Sequence, residues 1–207
     1  NLHDTAQSPM KKSSHASQVQ LIAIGASTGG TEAIRYILSQ LPNNLPPIVI
    51  TQHINPAFSA AFAKRLKQVT SLNSIEVTDS GLMLKPGHIY VAPGNQHLGV
   101  EFRGGQLFSQ LDDGEKVNRH KPSVDVMFDS IARFPRLKTL AILLTGMGND
   151  GAQGMLNLKQ RNSYNLVQDE RSSTVWGMPK VAYELNAHHE VLPLQQIPKT
   201  IMEKCYG

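Results

Sequence analysis

The sequence predicts an α/β fold: a doubly wound, mostly parallel sheet with helices on both faces and an antiparallel hairpin. Three short, near-continuous apolar runs, at residues 19–24, 48–50 and 140–144, are typical of strands buried on both faces. Each run is followed by apolar residues at helical spacing. Alternating strands and helices favour a parallel sheet, because parallel neighbours must be joined by a crossover connection.

The helices are predicted from apolar residues that recur every three or four positions. This spacing predicts helices around residues 33–41, 56–69 and 152–156. A further helix is expected over residues 124–131, opened by Pro122, because proline suits the first turn of a helix.

The remaining strands are shorter. Residues 88–91, 98–102 and 107–108 have strand patterns, and a Gly-Gly pair between the last two predicts a hairpin. Residues 166–167 and 191–192 are expected to add late strands.

The composition indicates one folded domain. Of the 207 residues 40% are apolar and 17% are charged, which suits a sizeable core. We expect residues 1–17, which have no hydrophobic period, to be a linker or tail, and residues 18–207 to form the domain. The single cysteine, Cys205, excludes an internal disulfide and a cysteine-built zinc site, and it fits a reducing, cytoplasmic compartment.

Charge and hydropathy argue against two kinds of partner. The formal net charge is +4, but no Lys/Arg run exceeds two residues, so no nucleic-acid surface is expected. The longest strictly aliphatic run, at 140–144, has five residues, so membrane insertion is not expected either.

Three residues able to carry chemistry follow the three buried runs. The carboxyl ends of parallel strands meet at one edge of a sheet, where ligands and catalytic groups gather. Ser27 follows the first run, His53 the second and Asp150 the third. A hydroxyl, an imidazole and a carboxylate are therefore expected at the same edge.

The turn around Ser27 has two interpretations. The pattern Gly25-x-Ser27-x-Gly29 matches the nucleophile elbow, which lifts a serine hydroxyl clear of the backbone. The competing interpretation is a glycine-rich phosphate loop at a helix N-terminus, although the stretch fits neither common nucleotide-binding motif. The local pattern leaves both open.

His53 and Asp150 each have a catalytic and a structural interpretation. A serine nucleophile needs a base to take its proton, and His53 would supply it. Asp150 would orient that imidazole, or would only cap the following helix together with Asn149. The order Ser, His, Asp differs from that of the usual hydrolases with this elbow, so spacing alone does not decide. No paired His, Asp or Glu spacing typical of a metal site is present in the sequence.

Several motifs together resemble one known family. They are Gly25-Ala-Ser-Thr-Gly-Gly30, Gln52-His53, Pro93-Gly94-Asn-Gln-His97, Asn118-Arg-His-Lys-Pro-Ser-Val-Asp-Val-Met-Phe128, Leu144-Thr-Gly-Met-Gly-Asn-Asp-Gly-Ala152 and Gly177-Met-Pro179. In this order, between residues 19 and 198, they are similar to the catalytic domain of the chemotaxis protein-glutamate methylesterase family, CheB.

The resemblance implies a serine carboxylic-ester hydrolase that acts in chemotaxis adaptation. It implies that Ser27 is the nucleophile, His53 the general base and Asp150 the carboxylate that orients it. Thr28 and Met147 are implied to lie near the site, with the Met147 backbone N–H helping to hold the oxyanion. The implied substrates are γ-glutamyl methyl esters on the cytoplasmic helices of chemoreceptors, and some members also deamidate glutamines there. No cofactor or metal is implied.

Two departures from the family accompany the resemblance. The family usually carries an N-terminal receiver domain, the phosphorelay input, and residues 1–17 are too short to form one. We therefore expect the receiver either to have been lost from this chain or to be replaced by another form of regulation. Residues 161–163 and 186–189 differ from the family pattern, and local loop changes are expected there. Two alternatives remain beside the enzyme: a catalytically silent receptor-binding module and a phosphate- or nucleotide-binding domain.

Overall fold

A computed structural model describes residues 18–206, so the tail predicted at residues 1–17 lies outside the described part. The strands are β1 (Leu21–Ala26), β2 (Ile48–Gln52), β3 (Asn73–Glu76), β4 (His88–Val91), β5 (His97–Arg103), β6 (Gln106–Asp112), β7 (Thr139–Leu143), β8 (Ser163–Gln168) and β9 (Glu190–Leu192). The α-helices are α1 (Gly30–Ser39), α2 (Pro56–Val69), α3 (Val124–Ala132), α4 (Ala152–Lys159), α5 (Met178–Glu184) and α6 (Ile197–Tyr206).

Seven of the strands form one parallel sheet, in the order β3-β4-β2-β1-β7-β8-β9, and β5 and β6 pair separately as an antiparallel hairpin. Helices α1, α2 and α6 cover one face of the sheet, and α3, α4, α5 and the hairpin cover the other. Along β1, Leu21 and Ala23 point to the face covered by α3, α4, α5 and the hairpin. Ile22 and Ile24 point to the face covered by α1, α2 and α6. Because both faces are covered, the central strands have no polar face, which confirms the predicted doubly wound fold.

The predicted start of one helix, α3, needs correction, whereas α2 occupies the predicted residues 56–69. Helix α3 begins at Val124 rather than at Pro122, because the Ser123 hydroxyl accepts a hydrogen bond from the Val126 N–H and caps the helix there. In α2 the buried stripe runs through Ser59, Phe62, Ala63 and Leu66, and Phe58 lies one position ahead of it. Phe58 is therefore 62% exposed and contributes little to the core.

The sequence analysis did not predict β3, α5 or α6. Strand β3 has four residues, of which only Ser74 is buried, so it lacks the apolar run by which the other strands were recognised. Within residues 18–206, no helix has the length and apolar character needed to cross a bilayer.

Strand β1 is where the winding of the chain reverses. Strands β2, β4 and β3 lie on one side of it, and β7, β8 and β9 lie on the other. Ala26 is opposite Gln52, and Gly25 is opposite Leu143, so the loops after β1, β2 and β7 leave the sheet side by side. Such a switch point leaves a crevice at the carboxyl ends of the strands, where α/β proteins place their ligands.

Candidate active site

Backbone hydrogen bonds join the loops that carry the three predicted residues. The Ser27 N–H donates to the Thr145 carbonyl over 3.0 Å, and the His53 N–H donates to the Ala26 carbonyl over 3.0 Å. The ladder of the sheet thus continues one step beyond the strands. Ser27 and His53 are fixed to it by main-chain contacts that do not depend on their own side chains.

The glycines around Ser27 serve packing and turn geometry. Gly29 has a φ of +81° and is the N-cap of α1, so the left-handed conformation of this turn falls on glycine. A Cβ on Gly25 would lie 2.4 Å from a Val124 methyl, so only glycine lets α3 approach the end of β1. Ser27 is not among the residues with positive φ. The elbow pattern therefore identifies a strand-to-helix turn, but without the strained serine of that motif.

His53 and Asp150 are in direct contact. His53 Nε2 lies 2.6 Å from Asp150 Oδ2, and the two side chains are only 6% and 1% exposed. Asp150 is the acceptor of an unusually complete set of hydrogen bonds. Its donors are His53 Nε2, Asn118 Nδ2 (2.8 Å), Ser123 Oγ (2.8 Å), the Val124 N–H (2.7 Å) and the Asp125 N–H (3.1 Å).

The position of Asp150 corrects the capping alternative. Gly151 is the N-cap of α4, and that helix has no side-chain cap. Asp150 turns away from α4 and accepts two N–H groups from the first turn of α3, where the helix dipole favours a negative charge. Sequence spacing favoured the neighbouring helix because the contact with α3 is made across the fold.

The same contacts determine the charge of this carboxylate. Burial alone would raise the pKa of Asp150, but hydrogen bonds from His53, from Asn118 and from two backbone N–H groups lower that pKa from 3.8 to about 2. Asp150 is therefore an anion at neutral pH and can stabilise a positive charge on His53.

Two further residues hold this arrangement, and the sequence analysis gave them no role. His97 is 2% exposed; its Nδ1 accepts from the Ser123 N–H, and its Nε2 donates to the Glu115 carbonyl. His97 thereby fixes Ser123, whose hydroxyl donates to Asp150. The amide of Asn118 bridges Asp150 and Asp125. The motif around these residues was visible in the sequence, but these tertiary contacts were not.

No hydrogen bond joins the Ser27 hydroxyl to His53 in the described residues. Because Nε2 is occupied by Asp150, Nδ1 is the remaining nitrogen of the ring, and it is buried without a partner among residues 18–206. The two loops are tied together in another way. Gln52 Nε2 donates to the Ser27 carbonyl over 2.8 Å and to the His53 carbonyl over 3.1 Å.

The loop after β7 passes directly against the serine. A Cβ on Gly146 would lie 2.7 Å from Ser27 Cβ and 2.6 Å from Met178 Sδ, so this position has room only for glycine. The Gly146 N–H donates to the Val175 carbonyl, and the Gly146 carbonyl accepts from the Met178 N–H. Hydrogen bonds of both its N–H and its carbonyl therefore fix Gly146, from which the turn with Met147 begins.

Thr28 and Met147, the two predicted neighbours of the serine, lie on this surface. Thr28 is exposed, and its carbonyl accepts from Thr145 Oγ1 over 2.9 Å. The Met147 side chain is 67% exposed, so it packs against little of the protein. The backbone N–H groups of Thr28 and Met147 have no acceptor among the described residues. Both line, with Ser27, an open cleft of about 530 Å³.

Residues 18–206 contain no cluster of His, Cys, Asp and Glu that could hold a metal ion. A second cavity, of about 540 Å³, lies at the opposite end of the sheet, lined by Pro46, Pro47 and Cys205 among others. Burial raises the pKa of the Cys205 thiol to about 11, so this cysteine is a poor nucleophile. The chemistry of the described residues therefore centres on Ser27, His53 and Asp150.

Comparison with known proteins identifies the family to which the chain is similar. The profile of the CheB methylesterase family matches residues 22–201. A Vibrio vulnificus protein named protein-glutamate methylesterase/protein-glutamine glutaminase 2 is 52% identical over 96% of this chain and 58% of its own length. A Thiobacillus denitrificans protein named protein-glutamate methylesterase/protein-glutamine glutaminase is 47% identical over 90% of this chain and 52% of its own.

A solved structure agrees with the sequence relatives. The Thermotoga maritima CheB methylesterase catalytic domain matches 90% of this chain and 98% of its own with a TM-score of 0.85 and 37% identity. The chain spans between half and three fifths of the length of the curated relatives described above. The chain belongs to the CheB methylesterase family.

Proposed function

We propose that this chain is a protein-glutamate methylesterase that hydrolyses γ-glutamyl methyl esters on the cytoplasmic helices of chemoreceptors. The observation that carries the proposal is the buried 2.6 Å contact between His53 Nε2 and Asp150 Oδ2, on loops that run beside Ser27. The names of the relatives supply the substrate class.

In this proposal Ser27 attacks the γ-carbonyl carbon of the ester. His53 takes the hydroxyl proton at Nδ1, because Nε2 is engaged by Asp150. The imidazolium that forms is stabilised by the Asp150 carboxylate, whose low pKa keeps it ionised. The tetrahedral intermediate then collapses; the C–O bond to the methoxy group breaks, and methanol leaves with the proton from Nδ1. Water releases the glutamate by the same steps in reverse.

The oxyanion of the tetrahedral intermediate needs donors that are in place beforehand. The backbone N–H groups of Met147 and Thr28 have no acceptor in residues 18–206 and line the cleft at Ser27. Removing one such donor costs about 10²–10³ in kcat in serine hydrolases. We assign the Met147 N–H, with the Thr28 N–H beside it, to this role.

Deamidation of receptor glutamines fits the same site. The amide carbonyl would be attacked in the same way, and ammonia would leave in place of methanol, with the proton again supplied by His53. The names of the relatives include the glutaminase activity. No additional residue, metal or cofactor is needed for the second reaction.

The two alternatives have less support. A phosphate loop would not need a buried carboxylate–imidazole pair beside it. A silent binding module would not need a His53 Nδ1 left without a partner in the described residues.

The partners and compartment belong to the same proposal. Chemoreceptor helices in the cytoplasm would present the ester to the open cleft. A receiver domain, as in the family, would regulate access to it through the phosphorelay.

Methanol release from a methylated receptor fragment tests the proposal. We expect release by the wild type and a loss of about 10⁴-fold or more in Ser27→Ala, since a triad nucleophile contributes on that scale. Ser39→Ala is the matched control, because Ser39 is exposed at the far end of α1, and its hydroxyl bonds only the Tyr36 carbonyl and the exposed side chain of the adjacent Gln40. Equal rates in Ser27→Ala and Ser39→Ala would refute the assignment.

A further inference from the structure

His120 lies flat against the proposed general base. The ring centroids of His120 and His53 are 3.5 Å apart, and the ring planes are inclined by only 10°. This is van der Waals contact over a whole aromatic face. The sequence analysis gave His120 no role, and the mechanism above does not use it.

The position of His120 is defined by a tight turn. The backbones of Val117 and His120 exchange two hydrogen bonds of 2.9 Å, and between them Asn118 and Arg119 have φ values of 53° and 69°. Left-handed conformations at non-glycine residues are costly and persist where surrounding contacts impose them. Here the Asn118 amide provides such a contact, because it donates to Asp150 over 2.8 Å.

The turn therefore contacts both members of the His53–Asp150 pair. Its first central residue, Asn118, holds the Asp150 carboxylate, and its last residue, His120, covers the imidazole that binds the same carboxylate. The His53 side chain is 6% exposed although it borders an open cleft. With its face against His120, the His53 ring cannot turn about its Cβ–Cγ bond unless His120 moves.

We propose that His120 is a positioning residue, whose ring holds the His53 imidazole so that Nε2 stays on Asp150 and Nδ1 stays available to Ser27. This inference rests on the proposed function for its kinetic consequence, but not for its structural one. His120 need not touch the substrate for this role.

A stacked histidine suits this role only when it is neutral. Two imidazolium rings 3.5 Å apart would repel each other, so a proton on His120 would oppose the proton that His53 must accept. The titratable groups facing His120 are His53, Asp150 and Lys116. Burial, and next the proximity of His53, lower the pKa of His120, while Asp150 opposes this. These contacts therefore favour the neutral form of the His120 imidazole, which is the form that stacks on His53 without repulsion.

The test compares His120→Ala, which removes the ring, with His120→Phe, which keeps a flat aromatic ring that cannot be protonated. Misplacing a catalytic group by about 1 Å costs on the order of 10²-fold. We expect His120→Ala to lower kcat for methanol release by about 10–100-fold with KM within about threefold, because the base and not substrate binding is affected. His120→Phe is expected to recover most of this loss.

A second readout does not depend on activity. The proton between His53 Nε2 and Asp150 is expected to give a low-field NMR resonance, which its loss in His53→Ala would assign. We expect faster exchange of this proton with water in His120→Ala and an unchanged resonance in His120→Phe. His88→Ala is the matched control, because His88 stacks on Tyr90 at 6.0 Å and lies at the opposite end of the sheet.

Each outcome supports or overturns the inference. If His120→Ala keeps the wild-type kcat and the wild-type resonance, stacking does not position His53. The same conclusion follows if His120→Phe lowers kcat as much as His120→Ala does. A wild type that releases no methanol contradicts the proposed function, and the NMR comparison then decides the role of His120 by itself. If no resonance is resolved, the kinetic comparison of the two variants decides it.

Discussion

Replacing Asp150 with asparagine perturbs one atom of the most heavily hydrogen-bonded side chain in the site. The amide has nearly the same shape as the carboxylate, but its NH₂ group would face donors where Asp150 presents an oxygen. Asp150 is 1% exposed and accepts from side chains and from two backbone N–H groups of α3. The change therefore removes a buried charge whose partners remain in place, so both stability and activity should fall.

The magnitude follows from the pKa. The folded-state pKa of Asp150, about 2, lies below its ordinary value of 3.8. A carboxylate with a depressed pKa stabilises the fold above its unfolded pKa, and this stability is lost as the pH falls toward the folded value. A shift of this size contributes about 2 kcal/mol at pH 7, and about 1 kcal/mol of this is lost by pH 3.

Urea unfolding of the wild type and of Asp150→Asn at pH 7 and pH 3 measures this contribution. We expect Asp150→Asn to be less stable at pH 7 by at least about 2 kcal/mol, and the gap to narrow by about 1 kcal/mol at pH 3. Asp113→Asn is the control, because Asp113 is 77% exposed and its ion pair with Lys121 is a surface pair. If the free energy of unfolding of Asp150→Asn falls short of the wild type by the same amount at pH 7 and at pH 3, the reasoning is refuted.

Three further predictions follow from the site. Asp150→Asn should also lower kcat for methanol release by about 10⁴-fold, as the equivalent change does in serine proteases, and steady-state kinetics check this. Gly146→Ala places a methyl group 2.7 Å from Ser27 Cβ, so we expect at least a tenfold loss of kcat, with a stability loss of about 1–3 kcal/mol in urea unfolding. Met147→Ala should change kcat only a few-fold, because the side chain is exposed, whereas Met147→Pro, which removes the backbone donor, should cost about 10²–10³; equal effects of the two changes would contradict the oxyanion assignment.

The parts of the fold that were predictable from sequence are those with a short-range signal. Strands β1, β2 and β7 are buried on both faces, so each contains a continuous apolar stretch, and their ends were predicted within two residues. The positions of Ser27, His53 and Asp150 follow from this, because a parallel sheet brings its carboxyl ends to one edge. Helix α6 also has a short-range signal, because Ile197, Ile201 and Cys205 are buried at every fourth position. This spacing is typical of a helix, although the sequence analysis did not predict one there.

The parts that were not predictable depend on contacts between distant segments. Asp150 accepts from α3 and not from α4, and no local pattern distinguishes these two helices. His97 holds Ser123 across 26 positions of the chain, and His120 meets His53 across the cleft. A histidine in a loop has the same sequence signature whether it is exposed or packed against another ring.

The measurement that tests the central claim most directly is methanol release by the single and double variants of Ser27 and His53. Groups that act as one unit are grossly non-additive, because removing either disables the same step. We predict that Ser27→Ala and His53→Ala each lower the rate by about 10⁴-fold or more, and that the double variant is no slower than Ser27→Ala alone. Losses that multiply in the double variant, or a Ser27→Ala protein that stays within about tenfold of the wild type, would contradict the account.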